Sequence, residues 1–224
     1  MTTRVEIDVP IALDIIDPRL LTQIDPHVVR VVHERDHFTC RCCGFWCNNY
    51  QQILIPGANW RDIKSLTTAC IFCQQCFSLD SVTRMRSGVL ISLPEVSQRE
   101  LNRLTWEIYV ARLSSRTSRL AKNSLDLLMN RRQTVRELLG TDDPKLLAQQ
   151  MRDARTESQQ GALGKRLRDV RLFSLDRRIL EESGIEFNQW HQILGFVRSP
   201  AGPYAPERRT SLPLLEEFSA TYLT

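Results

Sequence analysis

The sequence predicts an α+β protein, mostly helical, in which paired cysteines staple a small module onto a helical body. Two observations carry that prediction. Cysteines recur as C-x2-C pairs, Cys40 with Cys43 and Cys70 with Cys73, in a stretch of short extended runs with little periodicity. From Ser97 onward, apolar residues recur at helical spacing. The segments that follow are an N-terminal arm over 1–26, a cysteine-bearing module over 27–93, a helical body over 94–195, and a proline-rich linker with a short C-terminal segment over 196–224.

Taken in order, Asp17-Pro18 and Asp25-Pro26 are turn signals within the arm. Asp25 can cap a helix with Pro26 at its first position, and Val28, Val29 and Val32 give that helix a core side. Gln51 to Ile55 reads as a strand broken by Pro56-Gly57, and Gly88 to Leu93 as another. Ser97-Gln-Arg-Glu100 is a capping box. Behind it Leu101, Leu104 and Ile108 mark one face, and Trp106, Val110 and Leu113 a second, so this helix is expected to lie buried between neighbours. Leu120, Leu127, Leu128, Val135 and Leu138 continue the spacing to Gly140, a C-cap. Asp143-Pro144 opens a further helix, and Leu163, Leu167 and Val170 mark another. Two short helices are expected over Ser174 to Gly184 and Glu186 to Leu194. The run from Arg198 to Pro206 reads as a linker, and Leu212 to Phe218 is too short to form a core of its own.

Composition narrows the setting. Hydrophobic residues at 42% and charged residues at 25% exclude global disorder. A net charge of +4 permits an acidic partner without demanding one. The first ten residues hold acids and a proline where a signal peptide needs a basic end and an apolar run. The apolar run from Gly88 to Leu93 is far too short to span a bilayer. These features predict a cytoplasmic protein without direct membrane insertion. In a reducing compartment, seven cysteines argue for metal or free thiols over disulfides.

Cys40 and Cys43 followed by Gly44 have the sequence of a zinc knuckle, in which two intervening residues let both sulfurs reach one ion. Cys70 and Cys73 supply the second pair, and a helix beginning there would place its amides near the thiolates. One structural Zn2+ on Cys40, Cys43, Cys70 and Cys73 is the expected cofactor. Cys73 and Cys76 form an alternative C-x2-C; the extended stretch Leu66-Thr-Thr-Ala before Cys70 favours the first register. Cys76 then falls one turn into the helix as a packed thiol, and Cys42 and Cys47 are spare.

The arrangement from Arg35 to Cys70 resembles the zinc-stapled, HNH-like ββα module, in which one cysteine pair precedes a hairpin and the other follows it. Active members place histidines in that hairpin as general base and metal ligands. Here the corresponding stretch, Ile53 to Trp60, contains no histidine, and none occurs between His37 and His191. No Gly-rich phosphate loop, G-x-S-x-G or H-E-x-x-H occurs either. The expectation is therefore no enzyme and no catalytic residues, with His33 and His37 at a helix face or end. The alternatives are a residual HNH-type nuclease and a nucleic-acid-binding zinc module using Lys165 to Arg171 and Arg177-Arg178. Nucleic acid is not the expected partner, because Asp169 and Asp176 intersperse that basic face.

The runs Phe38-Thr-Cys-Arg-Cys-Cys-Gly-Phe45, Leu66-Thr-Thr-Ala-Cys-Ile-Phe-Cys-Gln-Gln-Cys-Phe77 and Leu93-Pro-Glu-Val-Ser-Gln-Arg-Glu-Leu-Asn102 are similar to the IcmJ/DotN family of type IVB secretion systems. The likeness covers most of the chain between about His27 and Trp190, more thinly through Asp143-Pro144, Met151 and Arg171-Leu172 towards Arg177, and leaves out the proline-rich tail. It matches Cys40, Cys43, Cys70, Cys73 and Cys76, while Cys42 and Cys47 depart from it. The resemblance implies a non-catalytic adaptor of the Dot/Icm-type coupling complex. Its partners would be the C-terminal segment of a DotL-like coupling ATPase and other coupling-complex adaptors, with a place peripheral to the inner membrane through that ATPase. Such an adaptor would support effector recruitment. Phe45, Trp46, Tyr50 and Trp60 are candidate partner-binding aromatics.

Overall fold

The structure is a computed structural model that describes residues 10–13, 24–55, 61–176, 190–205 and 212–223. It is α+β and mostly helical. The first helix, α1 (Pro26–Arg35), starts as its sequence requires: the Asp25 carboxylate accepts from the His27 amide at 2.8 Å, and Pro26 occupies the first turn. Val32 is fully buried and Val28 and Val29 partly so, packed with Ile24, Ile53, Ile55 and Leu66 in a small satellite core. Strands β1 (Gln52–Leu54) and β2 (Thr67–Ala69) pair antiparallel, and β2 runs into α2 (Ile71–Cys76). A further short helix, α3 (Leu79–Met85), precedes β3 (Gly88–Ser92).

The capping box forms: Ser97 Oγ accepts from the Glu100 amide at 3.2 Å, and the Glu100 carboxylate accepts from the Ser97 amide at 2.9 Å. It launches α4 (Gln98–Ala111), which is buried on nearly every side. Several of its polar residues hold neighbouring segments. Gln98 brackets β4 (Val170–Ser174), donating to the Leu172 carbonyl and accepting from the Leu172 amide, both at 2.8 Å. Tyr109 donates to the Ser174 carbonyl at 2.7 Å. Leu113, expected on the second apolar face, lies beyond the helix end and is exposed.

The periodicity read through to Gly140 resolves into two helices, α5 (Ser118–Asn130) and α6 (Arg132–Leu139), broken at Arg131. Gly140 closes the second in the left-handed conformation, φ 78°, and Leu139 rather than Leu138 faces inward. Asp143 caps α7 (Pro144–Asp153), its carboxylate accepting from the Lys145 amide. Helix α8 (Glu157–Leu167) buries no residue fully. Val170, expected to extend that helical face, instead opens β4, which pairs antiparallel with β3 from Gly88↔Ser174 to Ser92↔Val170. Burial on β3 and α4 overrides the helical spacing here.

Ser174, expected to open a helix, is the last residue of β4, and residues 177–189 lie outside those described. Helix α9 (Trp190–Arg198) overlaps the second expected short helix and runs on to Arg198. The described part of the proline-rich stretch folds back on α9: Tyr204 donates its amide to the Val197 carbonyl at 2.9 Å. Gly202 sits so close that any Cβ would collide with the Phe196 and Val197 carbonyls. The C-terminal helix α10 (Pro213–Tyr222) buries Leu215 and Phe218 against α4 and α5. One core cluster thus runs from Cys40 through Trp106 and Phe173 to Phe218.

Glu107, on α4, holds the start of α10 by accepting from the Leu215 amide at 2.9 Å. Burial pushes its carboxyl up from 4.5 to about 7, against the Leu215 and Leu214 amides and Arg103. The folded value lies above the unfolded one, so this group's contribution is complete below pH 4.5 and is lost as pH rises through about 7. Relative to Glu107→Gln, the wild type should lose up to about 3 kcal/mol of stability between pH 4.5 and 8. Denaturant midpoints of the two proteins across that range provide the measurement. Parallel profiles would show that the carboxyl titrates alike folded and unfolded.

Candidate metal centre

Two local structures deliver the four cysteines. At the end of α1, His37 and Phe38 adopt left-handed conformations, φ 53° and 52°, and turn the chain into a tight hairpin. Thr39 and Trp46 form an isolated bridge, Cys40 donates its amide to the Phe45 carbonyl, and Cys47 donates to the Phe38 carbonyl. Gly44 makes the turn at φ 76°, its amide returning to the Cys40 carbonyl at 2.9 Å. The Gln51 side chain braces the hairpin by donating to the Phe38 and Phe45 carbonyls. On the other side, β2 carries the chain to Cys70, which is the N-cap of α2, and Cys73 lies in its first turn.

The two halves are tied together away from the sulfurs. Arg41 donates its amide to the Thr68 carbonyl at 2.9 Å, and Asp36 accepts from the Thr68 amide at 2.8 Å. Arg35 reaches the Leu66 carbonyl at 2.6 Å while also pairing with Asp36. Burial works against the Asp36 carboxylate, but Arg35 and the Thr68 amide outweigh it and hold it below the usual range. His33 shares a hydrogen bond with Thr68 Oγ1 at 3.0 Å, and burial pushes its pKa down. Its ring is a fastener between α1 and β2.

The result is a group in which the Sγ atoms of Cys40, Cys43, Cys70 and Cys73 all lie within 4.8 Å of one another, each buried. Cys43 and Cys70 approach to 3.7 Å. Burial pushes Cys40 up, yet hydrogen bonds from Cys42, Cys43, Cys70 and Cys73 outweigh it and hold it well below the thiol range. Cys43 is driven well above that range, first by its bond to the Cys40 sulfur. Cys73 is driven up first by burial. Such a donor set could hold a metal ion, which would let the sulfurs ionise together.

Donors already converge on the sulfurs. The Cys43 amide points at Cys40 Sγ at 3.5 Å, and Asn102, from the middle of α4, donates to Cys73 Sγ at 3.2 Å. Asn102 is held in turn by Gln98 at 2.9 Å. Sequence reading did not single out Asn102; a lone asparagine inside a buried apolar helix is the signal that could have found it. Cys76, Cys42 and Cys47 are buried and lie outside the close group. Burial pushes Cys76 up to about 12, and its thiol donates to the Phe72 carbonyl at 3.4 Å.

The four candidate partner-binding aromatics separate. Phe45 is only 7% exposed and stacks on Trp106 with ring centroids 4.4 Å apart, so it is a core residue and offers no surface. Trp46 is half-buried. Tyr50 is half-buried with its ring edge-on to Phe196. Trp60 lies outside the described residues. In the basic stretch, Arg166 donates to the Leu138 carbonyl and Arg171 to the Val96, Arg168 and Val170 carbonyls, which turns both guanidinium groups onto the protein itself.

No helix among the described residues is long and apolar enough to cross a membrane. No family model matches the chain. A curated relative does: "Type 4 apparatus protein DotN" of Legionella pneumophila is 35% identical over 136 residues, covering 58% of this chain and 64% of the relative. The chain thus spans a little less than two thirds of that relative's length. Identity of that order sustained over 136 residues makes the chain a relative of DotN and supports its likeness to the IcmJ/DotN family.

Proposed function

We propose that the protein is a non-catalytic, zinc-stapled adaptor of a type IV secretion apparatus, which captures an extended C-terminal segment of the coupling ATPase. The observation that carries this reading is the 35% identity with a type 4 apparatus protein. Zinc is the metal of choice for four buried thiols. Tetrahedral coordination with Zn–S near 2.3 Å sets sulfurs about 3.8 Å apart, and Cys43 and Cys70 lie at 3.7 Å. The order β1, β2, α2, with one cysteine pair before the hairpin and the other at the helix start, supports an HNH-like frame. Four cysteine ligands leave no open position for water. The stretch that should hold catalytic histidines has none, which supports a scaffold rather than a nuclease. Trp46 and Tyr50 are the aromatics that retain surface for a partner.

The test is capture from detergent-solubilised membranes by tagged protein, with the retained ATPase identified by mass. Trp46→Ala should weaken capture at least about tenfold while metal content and helicity stay unchanged. If the wild type retains no membrane ATPase, the adaptor assignment fails. Cleavage of DNA by metal-loaded protein would instead establish the nuclease reading.

A further inference from the structure

We propose that the basic cleft between α3, β3 and the start of α7 docks an extended acidic segment of a protein partner, whose backbone carbonyl accepts from the Gly88 amide and whose carboxylates pair with Arg86 and Lys145. This cleft shares no residue with the cysteine centre, and its chemistry does not depend on the partner being the coupling ATPase. It encloses about 840 Å³. Arg84, Arg86, Arg132 and Lys145 line it, against only Asp142 and Asp143. Both acids are already engaged. Asp142 pairs with Arg132 and Arg136, and Asp143 caps α7 by accepting from the Lys145 amide at 2.8 Å. Arg86 and Lys145 are exposed, and their charged groups have no hydrogen-bond or ion-pair partner among the described residues.

The backbone of β3 supplies a second, independent feature. In an antiparallel pair, successive residues turn their amides alternately towards and away from the partner strand. Ser92 and Leu90 turn theirs away from β4, to the Arg131 carbonyl at 3.2 Å and the Asp142 carbonyl at 3.0 Å. Gly88, two residues before Leu90 and opposite Ser174, faces that same side. Beyond Asp142 the covering chain turns away into α7. The Gly88 amide is buried, borders the cleft and has no partner among the described residues, a costly state for a backbone donor. A carbonyl from an extended peptide would fill this third place along the edge. Side chains of such a peptide alternate between its two faces, which suits a cleft that sets its cations beside the apolar Val82, Pro144 and Leu175. Acids at every second position would meet Arg86 and Lys145, and apolar residues between them would meet the remaining wall.

The probe is a pool of end-capped synthetic peptides in which aspartate or glutamate alternates with an apolar residue, beside a matched pool with asparagine or glutamine in place of the acids. At low salt the purified full chain should bind the acidic peptides at least about tenfold more tightly than their amide counterparts. Arg86→Gln combined with Lys145→Gln should weaken that binding about tenfold and leave the helical signal unchanged, since neither side chain has a partner within the fold to lose. A side chain at Gly88 would press on Leu172 and Val82 at 3.0 Å, so the amide itself is read by nuclear magnetic resonance rather than by substitution. On peptide binding its proton should shift downfield and exchange more slowly with solvent. Equal binding of both pools overturns the proposal. Binding that leaves the Gly88 amide unchanged also overturns it, as a diffuse attraction between charges. A single-stranded DNA that displaces the peptides and needs the same two cations would make the cleft a nucleic-acid site and overturn it as well. Capture of an ATPase from membranes is a separate measurement, so failure of the adaptor reading is told apart from failure here.

Discussion

With the proposed zinc bound at the four cysteines, its removal should unfold the protein as a whole rather than loosen one end of it. Structural zinc contributes on the order of 10–16 kcal/mol in small fingers, against about 5–15 kcal/mol for the net stability of a typical domain. Without the ion, four buried sulfurs within 4.8 Å of one another cannot share their charge, and the knuckle has little else at its centre. The damage then spreads through contacts already described. Phe72 lies between Cys70 and Cys73 on α2, and Phe45 follows the turn at Gly44; both rings pack on Trp106 in α4. Asn102 on the same helix loses its sulfur partner at Cys73. A chelator strong enough to take zinc should therefore abolish helical circular dichroism in one transition, and Cys43→Ser should reproduce the loss. Cys76→Ala is the control: it should keep the metal and cost about 1–2 kcal/mol, since Cys76 is a packed thiol. Zinc release with the helical signal intact would show that the helices after Ser97 stand without the metal.

What could be read from the chain was whatever depends on near neighbours. Asp25-Pro26, the Ser97–Glu100 box, Gly140 and Asp143-Pro144 each mark a helix end through bonds spanning a few residues, and each occurs where expected. The cysteine pairs were legible for the same reason, because two intervening residues determine which sulfurs can converge. The extended residues before Cys70 identified Cys70 and Cys73 as the second pair that joins the close group. Long-range partners were not legible. Val170 fits a helical stripe after Leu163 and Leu167, and only β3, some eighty positions earlier, makes it a strand. Phe45 reads as a surface anchor in a small module until Trp106 stacks on it. The same holds for the polar residues of α4. Gln98, Asn102 and Glu107 look like interruptions in an apolar helix, and each proves to hold a different distant segment: β4, the cysteine cluster and α10.

Replacing Trp106 should be the most damaging change outside the cysteines. The ring is 2% exposed, stacks flat on Phe45 at 4.4 Å, meets Phe72 at 4.5 Å and stands edge-on to Trp190 at 6.0 Å. It therefore joins the knuckle, α2, α4 and α9 at one point. Truncation to alanine should cost about 3–5 kcal/mol from lost burial and the cavity left behind, a large fraction of the about 5–15 kcal/mol that holds an ordinary domain folded. Because Phe45 and Phe72 lie beside the clustered cysteines in the chain, the same change should speed release of the proposed zinc to a chelator. Phenylalanine should behave differently. Trp106 Nε1 is buried with no acceptor among the described residues, so the indole carries an unmet donor that Trp106→Phe removes. The smaller ring still stacks, and relief of that unmet donor offsets part of the lost volume, leaving a net cost of about 1–2 kcal/mol. Thermal midpoints of the two variants, measured beside chelator release rates, separate these effects. Equal destabilisation by alanine and phenylalanine would mean that the indole nitrogen has a partner and that its hydrogen bond, rather than the ring stack, is what Trp106 supplies.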